Sequence, residues 1–145
     1  MDYSSTFAVS AAGMALERTR VEVAALNLAN AHATQDPGQV AYTPLQVVAQ
    51  AGASDSFGAL MVPGGPAGAA APEFHVEPAN VAPRTVHEPG HPFADAKGFV
   101  SYPGVDPAAE MVSLMSATRA YEANVAAMNA ARTMALKALD IGGNT

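Results

Sequence analysis

The chain has 145 residues, with 13 acidic side chains against 7 basic ones and a formal net charge of −6. This balance excludes the basic stripe that nucleic-acid binding requires, and the absence of cysteine excludes disulfides and thiolate metal sites. Half of the residues are hydrophobic, but tryptophan is absent and aromatic residues make up only 6%. We therefore expect one domain with a thin core.

The positions of proline divide the chain into three segments. All eleven prolines lie between Pro37 and Pro107, and a proline inside a helix costs about 3 kcal/mol. The fold class we predict is mainly α: long N- and C-terminal helices paired as a coiled coil, with a small irregular β-containing middle segment. The N-terminal helix occupies 1–36, the middle segment 37–106 and the C-terminal helix 107–145.

The N-terminal segment carries apolar residues at helical spacing. One stripe runs from Val9 to Asn30 in alternating steps of three and four, which is the spacing of a coiled-coil seam. Asn27 and Asn30 are poor helix formers whose amides bond to backbone, so we expect them to cap the helix end or to bond to a partner. The residues that we expect to carry assembly on this helix are Leu16, Val23, Leu26, Asn27, Leu28 and Asn30.

No targeting segment is evident at the N-terminus. Arg18 and Arg20 follow the first apolar run instead of preceding it, so we expect no cleaved secretory signal. No stretch approaches the roughly 18 uninterrupted apolar residues of a membrane span.

The middle segment is rich in proline and glycine. A Gly/Ala/Pro tract at 63–72 is typical of a flexible linker. Short strands are predicted at 42–49, 73–77 and 97–102, where apolar and polar residues alternate. They suffice for a small β-ribbon but not for a large sheet.

The C-terminal segment begins with strong helix-start signals. Asp106 is a favoured N-cap, Pro107 suits the first turn, and Glu110 lies near the positive end of the helix dipole. An apolar stripe again alternates steps of three and four, and we expect it to pack against the N-terminal helix. The residues that we expect to carry assembly here are Met111, Leu114, Tyr121, Asn124, Val125 and Met128.

The candidates for chemistry are weak. His75, His87 and His91 lie near several carboxylates and could form a metal-binding module, but they lack the H-E-x-x-H spacing of a zinc helix. No cysteine nucleophile or G-x-S-x-G elbow is present. We therefore expect no enzyme, no cofactor and no metal, and keep a small His/carboxylate metal-binding protein as the alternative.

The C-terminal sequence contains two closely spaced motifs. Glu-Met-Val at 110–112 is followed by Ser-Ala-Thr-Arg-Ala-Tyr-Glu-Ala-Asn at 116–124. With these motifs, residues 102–142 closely resemble the C-terminal segment of bacterial flagellar basal-body rod proteins. Asn-Leu-Ala-Asn at 27–30 is similar to the family's signature at the end of its N-terminal helix, and the loop at 86–103 is similar to that of the proximal rod subunit. Gly104 departs from the Asn usual before Val-Asp.

This resemblance implies a structural subunit of the proximal rod that transmits torque and catalyses nothing. It implies helical stacking through the terminal helices. It also implies, as partners, other copies of the chain, other rod subunits, MS-ring/rod adaptor proteins and the flagellar export apparatus, with no nucleic acid and no direct membrane insertion. The expected location is the periplasm-spanning rod of the basal body, reached by export without a cleaved signal. Another axial protein of the rod and hook family is the alternative within this resemblance.

Overall fold

The computed structural model describes residues 3–34, 42–50 and 73–143. Its elements in chain order are α1 (Tyr3–Asn30), β1 (Leu45–Gln50), β2 (Glu73–Pro78), β3 (Arg84–His87), β4 (Phe99–Tyr102) and α2 (Pro107–Gly143). β1 and β2 form one two-stranded sheet, and β3 and β4 form another. The predicted mainly helical fold, with a helix at each end and a small β-containing middle, is confirmed. The tract at 63–72 lies outside the described residues.

The chain divides into two compact units, and each takes part of both helices. Unit 1 consists of the described residues of Met1–Arg18, Val48–His75 and Ala117–Thr145. Unit 2 consists of those of Thr19–Val47 and Val76–Ser116.

The start of α2 follows from its local sequence. Asp106 Oδ1 accepts a hydrogen bond of 2.9 Å from the backbone N–H of Ala108, and Asp106 O accepts one of 3.0 Å from Glu110 N. These contacts satisfy donors that the first turn of a helix leaves unpaired. The helix start predicted at Asp106 and Pro107 is therefore confirmed.

One buried line on α1 and the turn that follows it consists of small and polar side chains that recur every seven residues: Ser10, Glu17, Ala24 and Ala31. Val23, a member of the predicted apolar stripe, is buried beside this line. Val9 and Leu26, which belong to the predicted stripe, are exposed. The buried line is displaced from that stripe by one residue, which is about 100° around the helix.

The same displacement occurs in α2. Ala117 and Ala131 are buried, whereas Met111 and Tyr121 from the predicted stripe are exposed. Packing of Met111 and Tyr121 against α1 stays a prediction, since both side chains are more than a third exposed in the single chain. Size explains the difference, since small side chains permit the close approach of backbones that a Met or Tyr side chain would prevent.

Tyr102 of β4 is one of the buried residues of unit 2. The Arg84 guanidinium lies 5.5 Å from the centre of its ring, and the His32 ring meets it edge-on at 6.5 Å. The Tyr102 hydroxyl donates a 3.0 Å hydrogen bond to Glu88 Oε2. This bond, together with burial and the charge of Glu88, raises the pKa of Tyr102, since the carboxylate favours the protonated phenol.

The β3–β4 hairpin contains a strand that the sequence did not predict. Arg84 pairs with Tyr102 and His87 with Phe99 in antiparallel register. Pro83 and Pro89 flank β3 closely, and this concealed its short alternation. The hairpin loop depends on Gly98, whose φ of 79° lies in the left-handed region that side chains disfavour. A Cβ at this position would lie 3.1 Å from both His87 Nε2 and Pro89 Cβ.

We predict that Gly98→Ala lowers the free energy of unfolding by about 1–2 kcal/mol, because a non-glycine residue is strained at this φ. Gly90→Ala is the matched control in the same loop, since a Cβ there meets nothing within 4 Å. Urea unfolding of both variants measures the difference. Equal stability of the two variants would contradict the strain argument.

Candidate assembly interface

The side chain of Asn27 joins three parts of unit 2. Its Nδ2 donates hydrogen bonds of 2.8 Å to Leu45 O and to Glu110 Oε1. Its Oδ1 accepts bonds from the Tyr42 hydroxyl at 2.8 Å and from Leu45 N at 2.9 Å. We call these four residues the Asn27 cluster. It connects the last turn of α1 to the start of β1 and to the first turn of α2.

The Asn27 cluster uses the whole bonding capacity of one amide group. An Asn side chain has two N–H donors and an oxygen with two lone pairs, and all four are engaged here. Asn27 is only 1% exposed, so each of these bonds replaces one that water would otherwise make. A buried amide with any partner missing would carry an uncompensated desolvation cost of about 1–3 kcal/mol. The cluster therefore specifies one arrangement of the three segments.

The other members of the cluster are positioned by local structure. Glu110 lies in the first turn of α2 because the Asp106 cap begins the helix there, and the positive end of the helix dipole favours its carboxylate. Leu45 offers both its N–H and its C=O to Asn27, so the amide closes this edge of β1 as a neighbouring strand would. Burial and the negative charge of Glu110 raise the pKa of Tyr42, which keeps its hydroxyl a donor.

A second feature of unit 2 is an apolar surface on the first turns of α2. Met111, Val112 and Met115 are 53%, 67% and 56% exposed, and we call them the α2 patch. They lie within one helical turn of each other. Further along the helix, in unit 1, exposed apolar side chains continue with Met134, Leu136, Leu139 and Ile141.

Unit 1 contains a close approach between α1 and α2. A Cβ built on Gly13 would lie 2.8 Å from Asn124 Nδ2 and 3.1 Å from Asn124 Cγ. Glycine lets the Asn124 amide lie against α1 here, since a Cβ at this position would require that side chain to shift.

The residues predicted to carry assembly are divided between buried and exposed positions. Val23 and Asn27 are buried, whereas Leu26, Met111 and Tyr121 are exposed. The half-buried members are Leu16, Leu28, Asn30, Leu114, Asn124, Val125 and Met128. Asn30 caps its own helix, since its Nδ2 donates to Leu26 O at 2.8 Å.

Sequence reasoning did not assign Tyr42, the Leu45 backbone or Gly13 to the interface. A single sequence gives no signal for a hydrogen bond between residues fifteen or more positions apart. Glu110 was recognised for its place near the helix dipole, but not as a partner of Asn27.

The histidines of the metal alternative have other neighbours. The His87 ring contacts the Phe99 ring edge-on at 5.0 Å, and His91 Nδ1 accepts a 3.1 Å hydrogen bond from Phe93 N. In the described part of the chain, no three His, Asp or Glu side chains are grouped as metal ligands. Within the same residues, no helix is long and apolar enough to cross a membrane.

We predict that Asn27→Asp destabilises the chain by about 3 kcal/mol or more at pH 7, because it buries a second carboxylate beside Glu110. The loss will be smaller at pH 4, where protonation of the introduced carboxyl relieves the repulsion and restores one donor. Asn30→Asp is the matched control, since its side chain makes an exposed bond to Leu26 O. Thermal unfolding at both pH values measures the effect, and equal losses in the two variants would contradict it.

Comparison with known proteins identifies the family to which the chain belongs. The family model "Flagellar basal body rod FlgEFG protein C-terminal" matches residues 96–141. The flagellar basal-body rod protein FlgC of Salmonella typhimurium is 38% identical over 94% of this chain and 95% of its own. FlgC of Bacillus subtilis is 38% identical over 92% of this chain and 94% of its own. FlgC of Yersinia enterocolitica is 35% identical over 98% of this chain and 99% of its own. The chain therefore belongs to the FlgC family of flagellar basal-body rod proteins, and it is a structural subunit of the rod, not an enzyme.

Proposed function

We propose that α1 and α2 of one chain pair as an antiparallel coiled coil, and that this pair assembles helically with neighbouring rod subunits to transmit torque. The observation that carries the proposal is the division of faces on α2. Small residues are buried, while Met111, Val112 and Met115 are exposed to solvent in the single chain. Apolar surface of this kind is stabilised when another protein covers it.

Two contacts support pairing in a single register. Gly13 approaches Asn124 in unit 1, and Asn27 bonds to Glu110 in unit 2. The step from 13 to 27 is fourteen residues, as is the step from 110 to 124. Fourteen residues are two heptads, so the two contacts have the spacing that a coiled coil repeats.

The buried lines support close packing of the two helices. Alanine at Ala24, Ala117 and Ala131 leaves room for backbones to approach, and Ala117 and Ala131 are two heptads apart on one face of α2. A buried polar residue can fix the register of a coiled coil. Asn27 serves this role, because another register would leave its amide unpaired.

The α2 patch supports contact with a neighbour. Burying an exposed Val or Met side chain contributes about 1.5–3 kcal/mol when the burial is complete, and methionine adapts to irregular surfaces. A contact between different faces of successive subunits forms a ring only if the rotation between subunits closes. If the rotation does not close, the subunits assemble into a helix. Leu26 and Tyr121, also exposed, are further candidates for such contacts.

Membership of the rod family supports the remaining expectations. We propose that the chain contacts other rod subunits and the MS-ring/rod adaptor, and that the flagellar export apparatus delivers it to the periplasm without a cleaved signal. Long isolated helices are marginal in water, so the helical ends are expected to loosen before assembly.

We predict that the double variant Gly13→Cys/Asn124→Cys forms a disulfide within one chain. The Cβ atoms at these two positions fall near the separation that a disulfide needs, and the chain has no other cysteine to compete. The matched control is Thr6→Cys/Asn124→Cys, which leaves Gly13 in place and moves the first thiol about 10 Å along α1. Non-reducing electrophoresis of each variant at low protein concentration measures the fraction of chains that form the internal disulfide. Equal cross-linking in the two variants would contradict pairing in this register.

We predict that Val112→Asp prevents rod assembly while changing the free energy of unfolding by less than about 0.5 kcal/mol, as for other exposed positions. The charge would be buried against the neighbouring subunit, where it is costly. Val112→Ile is the matched control, because it keeps the patch apolar. Swimming and counts of basal bodies in a strain that carries only the variant test this. Normal assembly of a folded Val112→Asp chain would exclude the α2 patch from the interface.

A further inference from the structure

We propose that Met111 and Met115 are modification sites, where oxidation by a hydroperoxide to methionine sulfoxide blocks docking of the subunit. This inference rests on the proposed function, since it treats the α2 patch as the surface that another rod subunit covers. Met111 and Met115 are 53% and 56% exposed. They are four residues apart on a helix, so both sulfurs belong to one surface.

The composition of the chain directs peroxide to methionine. Cysteine thiolates are usually the first targets of peroxides, but this chain has none. Among the described methionines, Met14 and Met128 are half-buried, whereas Met111, Met115 and Met134 are more than half exposed. Susceptibility follows exposure, so these three are expected to react first.

The reaction is a two-electron transfer of oxygen. The thioether sulfur attacks the terminal oxygen of the hydroperoxide, the O–O bond breaks, and an S=O bond forms. The sulfur is oxidised, and the peroxide is reduced to an alcohol, or to water when it is hydrogen peroxide. Reversal requires two thiols, which become a disulfide as the oxygen leaves as water. A methionine sulfoxide reductase must supply those thiols, because the chain has none of its own.

The sulfoxide changes the α2 patch from apolar to polar. An S=O group is a strong hydrogen-bond acceptor, and covering it without a donor costs a desolvation penalty. Met111 and Met115 are two of the three members of the patch and neighbours on the helix surface, so the penalty falls on the greater part of the patch. Glu110 of the Asn27 cluster is about 100° or more around α2 from each patch residue, and the cluster contains no methionine. Oxidation is therefore expected to impair docking and leave the fold intact.

The test uses basal bodies isolated from a strain that lacks this chain. The purified full chain is treated with hydrogen peroxide, which catalase then removes, so that only the chain is oxidised before mixing. We expect sulfoxide at Met111 and Met115 before Met14 and Met128 by peptide mass spectrometry, and binding reduced about tenfold or more. Treatment with the two methionine sulfoxide reductases, one for each sulfoxide epimer, is expected to restore binding.

Two variants separate the patch from general oxidation. Met111→Leu/Met115→Leu keeps the apolar surface and is expected to bind equally before and after peroxide. Met134→Leu is the matched control, since it removes an equally exposed methionine outside the patch, and it is expected to lose binding as the natural chain does. If the double variant does not bind before treatment, Met111→Leu and Met115→Leu are tested separately. Each is expected to halve the loss of binding that peroxide causes.

The outcomes distinguish the inference from the proposed function. Equal binding of the oxidised and untreated natural chains would overturn the inference alone. If Met134→Leu kept its binding after peroxide and the double variant lost it, the inference would also be overturned. Absence of binding by the untreated natural chain would overturn the proposed function, and this inference with it.

Discussion

The four hydrogen bonds of the Asn27 amide are the interaction on which the rest of unit 2 depends. One side chain engages Tyr42, both backbone groups of Leu45 and the Glu110 carboxylate, and thereby joins three separate parts of the chain. The bonds are strong constraints because Asn27 is buried, and a buried polar group that loses a partner is costly. Two family signatures, the Asn-Leu-Ala-Asn run and the Glu-Met-Val run, meet in this contact. Holding the two terminal helices together is therefore enough to account for Asn27 and Glu110 in these signatures.

The division of faces on the helices connects this constraint to assembly. Side chains that are small or fully hydrogen-bonded are buried, as at Ala24, Ala117 and Asn27. The larger apolar side chains are displaced around the helix and remain exposed, as at Met111 and Val112. A soluble monomer gains nothing from such exposure, whereas a rod subunit surrounded by neighbours gains stability from it. The same exposed methionines are the groups open to oxidation.

The sequence predicted the larger features of the fold because their signals are local. The absence of proline from both ends located the helices, and Asp106 with Pro107 located the start of α2. Of the predicted stripe on α1, Val23 is buried while Val9 and Leu26 are exposed, because apolar periodicity identifies a hydrophobic stripe without saying which partner covers it. β3 was missed since prolines flank a strand of four residues. The Asn27 cluster could not be predicted, because its bonds to Tyr42, Leu45 and Glu110 depend on how distant segments fold together.

A double-mutant cycle between Asn27 and Glu110 tests the central claim most directly. The free energy of unfolding is measured for the natural chain, Asn27→Ala, Glu110→Ala and the double variant. If the amide and the carboxylate bond as described, the two losses are non-additive, with a coupling energy of about 1–3 kcal/mol. Additive losses, with a coupling energy near zero, would show that the two side chains act independently and would contradict the account.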